Sequence, residues 1–323
     1  MSKKDVVAGI DIGTTKICCA IGRLVDESAE PKVEMIGFSR GPSPGLKKRK
    51  FVNVEATLEG VHKAIQEAEL MAGVRISEVF TGTAGEQLRS LGFSIAGICP
   101  EPLAAAEAVL SDDEKRRGVA LVDLGGGSCD IGVFKEGQLL HSVSLPFGGT
   151  HVTNDIAVGL RVAPKEAEVL KIQHGYCISS LVKADETIEV QGVIDGPRIL
   201  SKRFLAEIIE PRVEEMLLII KQEIFKLGQQ ELLAAGIVIT GGATLLRGMP
   251  ELAKYIFDLP VRRGFPSEIG GLKDVVNSPK YAAGVGLLKY GAKTIAKTRF
   301  PIREQNIYDK MRGSMTTWIR DLF

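Results

Sequence analysis

Apolar residues gather in this chain in a pattern that occurs twice in the same order. A run at residues 6–10 leads into the polar turn Asp11-Ile12-Gly13-Thr14-Thr15-Lys16, and a second apolar run follows at residues 17–24. The succession returns at residues 119–122, with the turn Asp123-Leu124-Gly125-Gly126-Gly127-Ser128-Cys129-Asp130 and then residues 131–134. Short runs rich in Val and Ile predict strands. Each turn is followed by a strand and not a helix, which separates both from P-loop and dinucleotide-binding fingerprints. Two like halves facing each other are implied.

Helical spacing takes over elsewhere. Val54, Leu58, Val61, Ile65 and Ala68 share one face of residues 53–72, and Gly73 supplies the stop. Helices are also predicted at 102–110, 151–160, 164–173, 202–227, 249–255 and 279–296, and strands at 79–83, 93–98 and 236–240. Helices mixed with strands in this order predict an α/β fold, with central sheets covered by helices. Residues 40–51 form a Pro/Gly loop leading into Lys47-Lys48-Arg49-Lys50, which reads either as a solvated loop or as a phospholipid contact.

The length of 323 residues suggests about two domains. With 41 Lys and Arg against 40 Asp and Glu, the net charge of +1 gives no field to capture nucleic acid, so any partner contact must be local. The apolar share of 45% and charged share of 25% exclude wholesale disorder and a disulfide miniprotein. Five cysteines without a C-x-x-C fit buried, reduced thiols in a cytoplasm. The apolar stretch near the N-terminus is too short for a signal peptide, and no run approaches the ~18 residues of a spanning helix.

Glycine- and threonine-rich hairpin turns present backbone N–H groups and hydroxyls to a phosphate without side-chain obstruction, and two such turns can clamp a polyphosphate in a cleft. The phosphate-facing candidates are Gly13, Thr14, Thr15, Lys16, Gly125, Gly126, Gly127 and Ser128, with Gly149 before the helix at His151. Asp11, Asp123 and Asp130 would repel phosphates, so a divalent cation between them is expected, Mg²⁺ held mainly through water. Lys16 supplies a direct countercharge. A third glycine segment, Gly241-Gly242-Ala243 after a buried strand, could seat a nucleoside on bare backbone.

These three segments resemble the phosphate-1, phosphate-2 and adenosine motifs of the actin/Hsp70 ATPase superfamily. The resemblance implies an actin-like ATPase fold of two ribonuclease-H-like domains flanking an ATP cleft. It also assigns Glu101-Pro102-Leu103-Ala104-Ala105-Ala106 to the first connecting segment, where Glu101 would orient an attacking water beside Asp123. An ordinary helix N-terminus explains Glu101 as well. Ala282, Ala283, Gly284 and Gly286 would form the second connection.

Within the superfamily the chain is similar over nearly its whole length to the FtsA family of bacterial cell-division actin homologues. The residues carrying this include Asp11 to Lys16, Val52-Asn53-Val54-Glu55-Ala56-Thr57, Gly148-Gly149-Thr150-His151, Ala206-Glu207-Ile208-Ile209-Glu210-Pro211-Arg212 and residues 232–246. The family implies an ATP-binding, self-associating protein that tethers the tubulin-like FtsZ polymer to the cytoplasmic face of the membrane at the division site. ATP would act mainly as a conformational switch with slow hydrolysis. The family's subdomain 1C, usually inserted between the strand at 79–83 and Glu101, has no room here. The FtsZ C-terminal tail would dock on subdomain 2B within about residues 161–231, where Arg198 and Arg212 are contact candidates or parts of a solvated face. Glu207 and Glu210 fall where the superfamily places ribose or base contacts.

Residues 306–323 place Ile307, Met311, Met315, Trp318, Ile319, Leu322 and Phe323 on one helical face, with basic residues on much of the other. Such a segment suits an interfacial anchor on anionic phospholipid, as in the FtsA family, or a helix docked on its own core. Partial immersion of these side chains is worth ~5 kcal/mol gross, so one copy binds weakly and several on a filament bind firmly. The expected organisation is therefore domain I at 1–111, domain II at 112–279, a helix returning to domain I at 280–296, a linker at 297–305 and the anchor. A small-molecule kinase on the same fold is the alternative, but it has no use for that terminal segment.

Overall fold

The computed structural model describes residues 5–25, 31–47, 50–192, 196–226 and 232–299. Two sheets organise them. Apart from a two-residue pair at Leu46–Lys47 and Lys50–Phe51, the strands in chain order are β1 (Val6–Ile12), β2 (Lys16–Leu24), β3 (Val33–Pro42), β4 (Val79–Thr81), β5 (Ile95–Ile98), β6 (Val119–Leu124), β7 (Cys129–Lys135), β8 (Gln138–Leu145), β9 (Thr187–Gly192), β10 (Gly196–Ser201), β11 (Ile237–Thr240), β12 (Val261–Arg263) and β13 (Gly270–Gly271). The principal helices are α1 (Val54–Ala72), α2 (Gly85–Ser90), α3 (Glu101–Val109), α4 (Asp112–Arg117), α5 (Gly149–Leu160), α6 (Pro164–His174), α7 (Lys202–Phe225), α8 (Met249–Phe257) and α9 (Ala282–Arg299).

The first sheet runs β13-β3-β2-β1-β4-β5 and the second β8-β7-β6-β11-β12. Apart from the short β13 at one edge, the two orders are the same. In each, three consecutive antiparallel strands are followed by two parallel ones. The doubled apolar pattern of the sequence is thus a doubled topology. A hairpin joins β1 to β2 with Ile12 opposite Ile17, and another joins β6 to β7 with Leu124 opposite Cys129.

Local signals place the helices. The Asn53 side chain accepts from the Ala56 N–H to start α1, and Gly73 ends it in the left-handed conformation at φ 66. The expected helix at 279–296 begins instead at Ala282, after a single 3-10 turn over Pro279–Tyr281. Helix α4 was not predicted, although Ser111 and Glu114 form a reciprocal capping box. The β9–β10 hairpin within residues 161–231 was likewise missed; its alternating exposure follows a core that lies far away in sequence. Between β4 and β5 the chain makes only the six-residue α2.

Helices α3 and α9 lie side by side between the sheets. One apolar cluster runs through them, joining Val7 and Ala20 of the first sheet to Val119, Leu121 and Val238 of the second by way of Ala105, Ala108, Val285 and Leu288. The helices approach so closely that a Cβ on Gly286 would lie 1.7 Å from the Ala104 carbonyl oxygen. A second cluster fills the space between the other sheet face, α5, α7 and α8. None of the five cysteines forms a disulfide. All are buried, and burial pushes Cys18 up to about 11 and Cys19, Cys99 and Cys177 up to about 12.

Candidate functional site

The two hairpin turns are closed in the same way. The Gly13 N–H donates to the Lys16 carbonyl at 2.9 Å, and the Gly125 N–H to the Ser128 carbonyl at 2.9 Å. They meet tip to tip. A Cβ on Gly126 would lie 2.4 Å from Thr15 Cγ2, and one on Gly127 would lie 2.7 Å from both Thr14 Cγ2 and Oγ1. A side chain at either glycine would run into the threonines of the opposing turn.

Helix α5 is stitched to the second turn. The Gly149 N–H donates to the Gly125 carbonyl at 3.0 Å, while the Thr150 N–H and hydroxyl both donate to the Gly126 carbonyl at 2.8 Å. At Gly148, the His151 Nδ1 accepts from the backbone N–H, which gives that histidine a capping role. Behind the turns opens a cleft of about 560 Å³. Gly13, Thr14, Thr15, Lys16, Gly125, Gly126, Gly127, Ser128, Gly149, Gly241, Gly242 and Ala243 all line it, as do Asp11, Asp123, Asp130 and Glu101. Its size is that of a small-molecule or cofactor site.

Lys16 closes the first turn, with Nζ 3.3 Å from Asp11 Oδ2. Burial works against its charge, but the Asp11 and Asp123 carboxylates and the Cys18 sulfur more than offset this and hold it above the ordinary lysine value. Glu101 opens α3 and accepts from the Thr83 hydroxyl at 2.7 Å and the Thr83 N–H at 3.1 Å. Among the described residues, no group of three or more His, Cys, Asp or Glu is close enough to hold a metal ion directly. Asp11, Asp123 and Asp130 line the cleft without forming such a group.

Several expected residues lie elsewhere. Glu207 and Glu210 do not line the cleft: Glu207 is exposed, and Glu210 Oε2 accepts from the Ser179 N–H at 3.0 Å. Helix α7 reaches the cleft one turn further on, through Val213 and Met216. Arg212 is committed within the chain, bridging Asp155 of α5 and Glu215, which raise its pKa despite partial burial. Arg198 donates to the Leu160 carbonyl at the end of α5. Both side chains thus have partners within the chain that sequence alone did not show. The anchor candidates Ile307, Met311, Met315, Trp318, Ile319, Leu322 and Phe323 lie outside the described residues, as do Lys48 and Arg49.

The sequence did not single out every residue of the cleft, and two of those it passed over are charged partners. Glu168 and Lys171, three apart on α6, both line the cleft and pair at 2.7 Å. The i, i+3 spacing of opposite charges was a readable signal, but one shared by many solvated helix faces. Ile172, Leu246 and Met249 add an apolar wall next to Val213 and Met216.

The family model described as "Cell division protein FtsA" matches residues 120–286. The cell division protein FtsA of Pseudomonas aeruginosa is 34% identical over 374 aligned positions, covering 88% of this chain and 89% of the relative. That alignment is longer than the chain's 323 residues, so the relative carries segments with no counterpart here. Among solved structures, MreB5 of Spiroplasma citri bound to ADP superposes with a TM-score of 0.66 at 17% identity, over 92% of this chain and 99% of that one. The MamK double helical filament gives 0.63 at 16% identity, over 89% and 98%. The architecture is the actin-like ATPase fold.

Proposed function

The chain belongs to the family of the cell division protein FtsA, and from that premise we propose that it is an ATP-binding adaptor that tethers FtsZ filaments to the cytoplasmic face of the membrane at the division site and self-associates. The observation that carries the nucleotide half of this reading is the tip-to-tip meeting of two identically closed glycine turns over one cleft. The residues present fit ATP. Bare backbone at Gly13 and Gly125–Ser128 would take the phosphates, with Lys16 charged beside them, and Gly241–Ala243 with Val213, Met216 and Leu246 would seat the base. Asp11, Asp123 and Asp130 would hold Mg²⁺ through waters.

Bound ATP supplies compact negative charge and a hydrolysable phosphoanhydride. What the chain does with it follows from connectivity. The two turns belong to different sheets, so the spacing between the turns sets the angle between the sheets, with α3 and α9 as the pivot. Glu101, held by Thr83 at the start of α3, would orient a water, with slow hydrolysis as the release step of the switch. That S. citri MreB5 is bound to ADP supports the nucleotide assignment, and that MamK forms a double helical filament supports self-association.

No helix among the described residues is long and apolar enough to cross a membrane. Attachment is assigned to the amphipathic segment at 306–323, weak in one copy and firm when many copies on a filament share a surface. Co-sedimentation with anionic liposomes, with and without ATP, tests this by comparing the full chain with one ending at Thr298. The full chain pellets, more strongly with ATP, and the shortened chain stays in solution. Equal pelleting of both forms refutes the anchor.

A further inference from the structure

Lys171 stands in the cleft wall, yet its ammonium is engaged by groups of the protein itself. Its side chain is only 12% exposed. The ammonium donates to the Gly149 carbonyl at 3.0 Å, to Thr153 Oγ1 at 2.8 Å and to Glu168 Oε2 at 2.7 Å. The Thr153 hydroxyl in turn donates to the same Glu168 carboxylate. A lysine has three N–H donors, and all three are engaged. Lys16 differs: among the described residues it bonds to Asp11 alone.

The acceptor at Gly149 makes this arrangement consequential. Gly149 and Thr150 are the residues that tie α5 to the carbonyls of Gly125 and Gly126 in the second hairpin turn. Lys171 belongs to α6, which packs against β9 of the small hairpin, while α5 packs against α7. A continuous set of hydrogen bonds therefore leads from the turn, through the first turn of α5 and the Lys171 ammonium, to α6, which in turn packs on the lobe beyond it.

We propose that Lys171 is a positioning residue, a strut rather than a phosphate contact, that fixes the second hairpin turn relative to α6 and so conveys the state of the cleft to the α6, β9 and β10 lobe. This rests on the reading of the cleft as a nucleotide site. A methionine of similar length would fill the space but would leave the Gly149 carbonyl, Thr153 and Glu168 without their shared donor.

The test is hydrogen–deuterium exchange of the full chain with and without Mg·ATP, alongside calorimetric titration of the same samples. In the parent, Mg·ATP slows exchange at 123–130 and also at 164–174 and 187–192. Lys171→Met keeps binding to within about tenfold, the scale of one net hydrogen bond, and keeps the protection at 123–130, but loses it at 164–174 and 187–192. Lys171→Arg, which retains charge and donors, restores part of it. Should Lys171→Met fail to fold, Thr153→Val removes one partner of the strut and weakens the same protection. A variant that passes protection to α6 as the parent does overturns the strut alone. A parent chain that binds no Mg·ATP overturns the nucleotide reading and the strut with it.

Discussion

Gly284 and Gly286 stand two residues apart on α9, and replacing each by alanine should have opposite effects. A methyl group at Gly286 would sit 1.7 Å from the Ala104 carbonyl oxygen and 2.4 Å from its carbon. A carbon–oxygen contact needs about 3.3 Å, so α3 and α9 must part by on the order of 1.5 Å. The obstacle is backbone and cannot swing aside. Overpacking of this kind costs about 1–3 kcal/mol, here at the upper end, and the better helix propensity of alanine returns up to ~1 kcal/mol. The net expectation for Gly286→Ala is a loss of about 2 kcal/mol. At Gly284 the nearest atoms would be Cys18 Cβ at 3.6 Å and Asp11 Cβ at 3.7 Å, which is ordinary contact. Only the propensity gain remains, so Gly284→Ala is neutral or stabilising by up to ~1 kcal/mol. Urea unfolding of both variants beside the parent measures the difference, provided the slopes agree. Helix α3 carries Glu101 into the cleft and α9 carries Ala283, so Gly286→Ala should also weaken ATP binding while Gly284→Ala leaves it intact. Equal midpoints for the two variants would refute the tight helix crossing and its role as pivot.

Asp123→Asn should weaken Mg·ATP binding by about 10–100-fold, the cost of losing an outer-sphere carboxylate, when measured by calorimetry; unchanged affinity removes Asp123 from the site. Glu107 of α3 is clamped by Lys115 at 3.0 Å and Lys293 at 2.6 Å. Burial opposes its charge, but the two ammonium groups more than offset this and hold its carboxyl below the usual range. Its stabilisation is complete above the unfolded value of about pH 4.3 and is lost as pH falls through the depressed folded value. Glu107→Gln should therefore cost about 3 kcal/mol at neutral pH, with the gap to the parent closing under acid. A gap that stays constant down to pH 3 in urea titrations would show that the clamp contributes no charge-dependent stability.

What could be read in advance is what the chain settles over a few residues. The hairpin turns close on themselves between Gly13 and Lys16 and between Gly125 and Ser128. Helix α1 carries its own cap and stop at Asn53 and Gly73. Such features depend on backbone geometry and neighbouring side chains, so composition and spacing report them directly. The doubled topology was legible for the same reason, because each copy is a local strand-turn-strand unit.

Glu210, Arg198 and Arg212 could not be placed this way. Their partners lie 31, 38 and 57 residues away. In sequence a paired charge and a solvated one look the same, and only the folded neighbours decide between them. The contrast between Lys16 and Lys171 has the same origin: both are lysines in the cleft, but packing of α6 on α5 engages every donor of one and leaves the other facing the turns. The sequence by itself determined two glycine turns, their strands and the alternation of sheet and helix, because those rest on short-range backbone preference and on hydrophobic period. Tertiary structure alone decided that the turns touch, that Gly286 and not Gly284 sets the helix crossing, and which charges face the cleft, because each depends on distances between segments far apart along the chain.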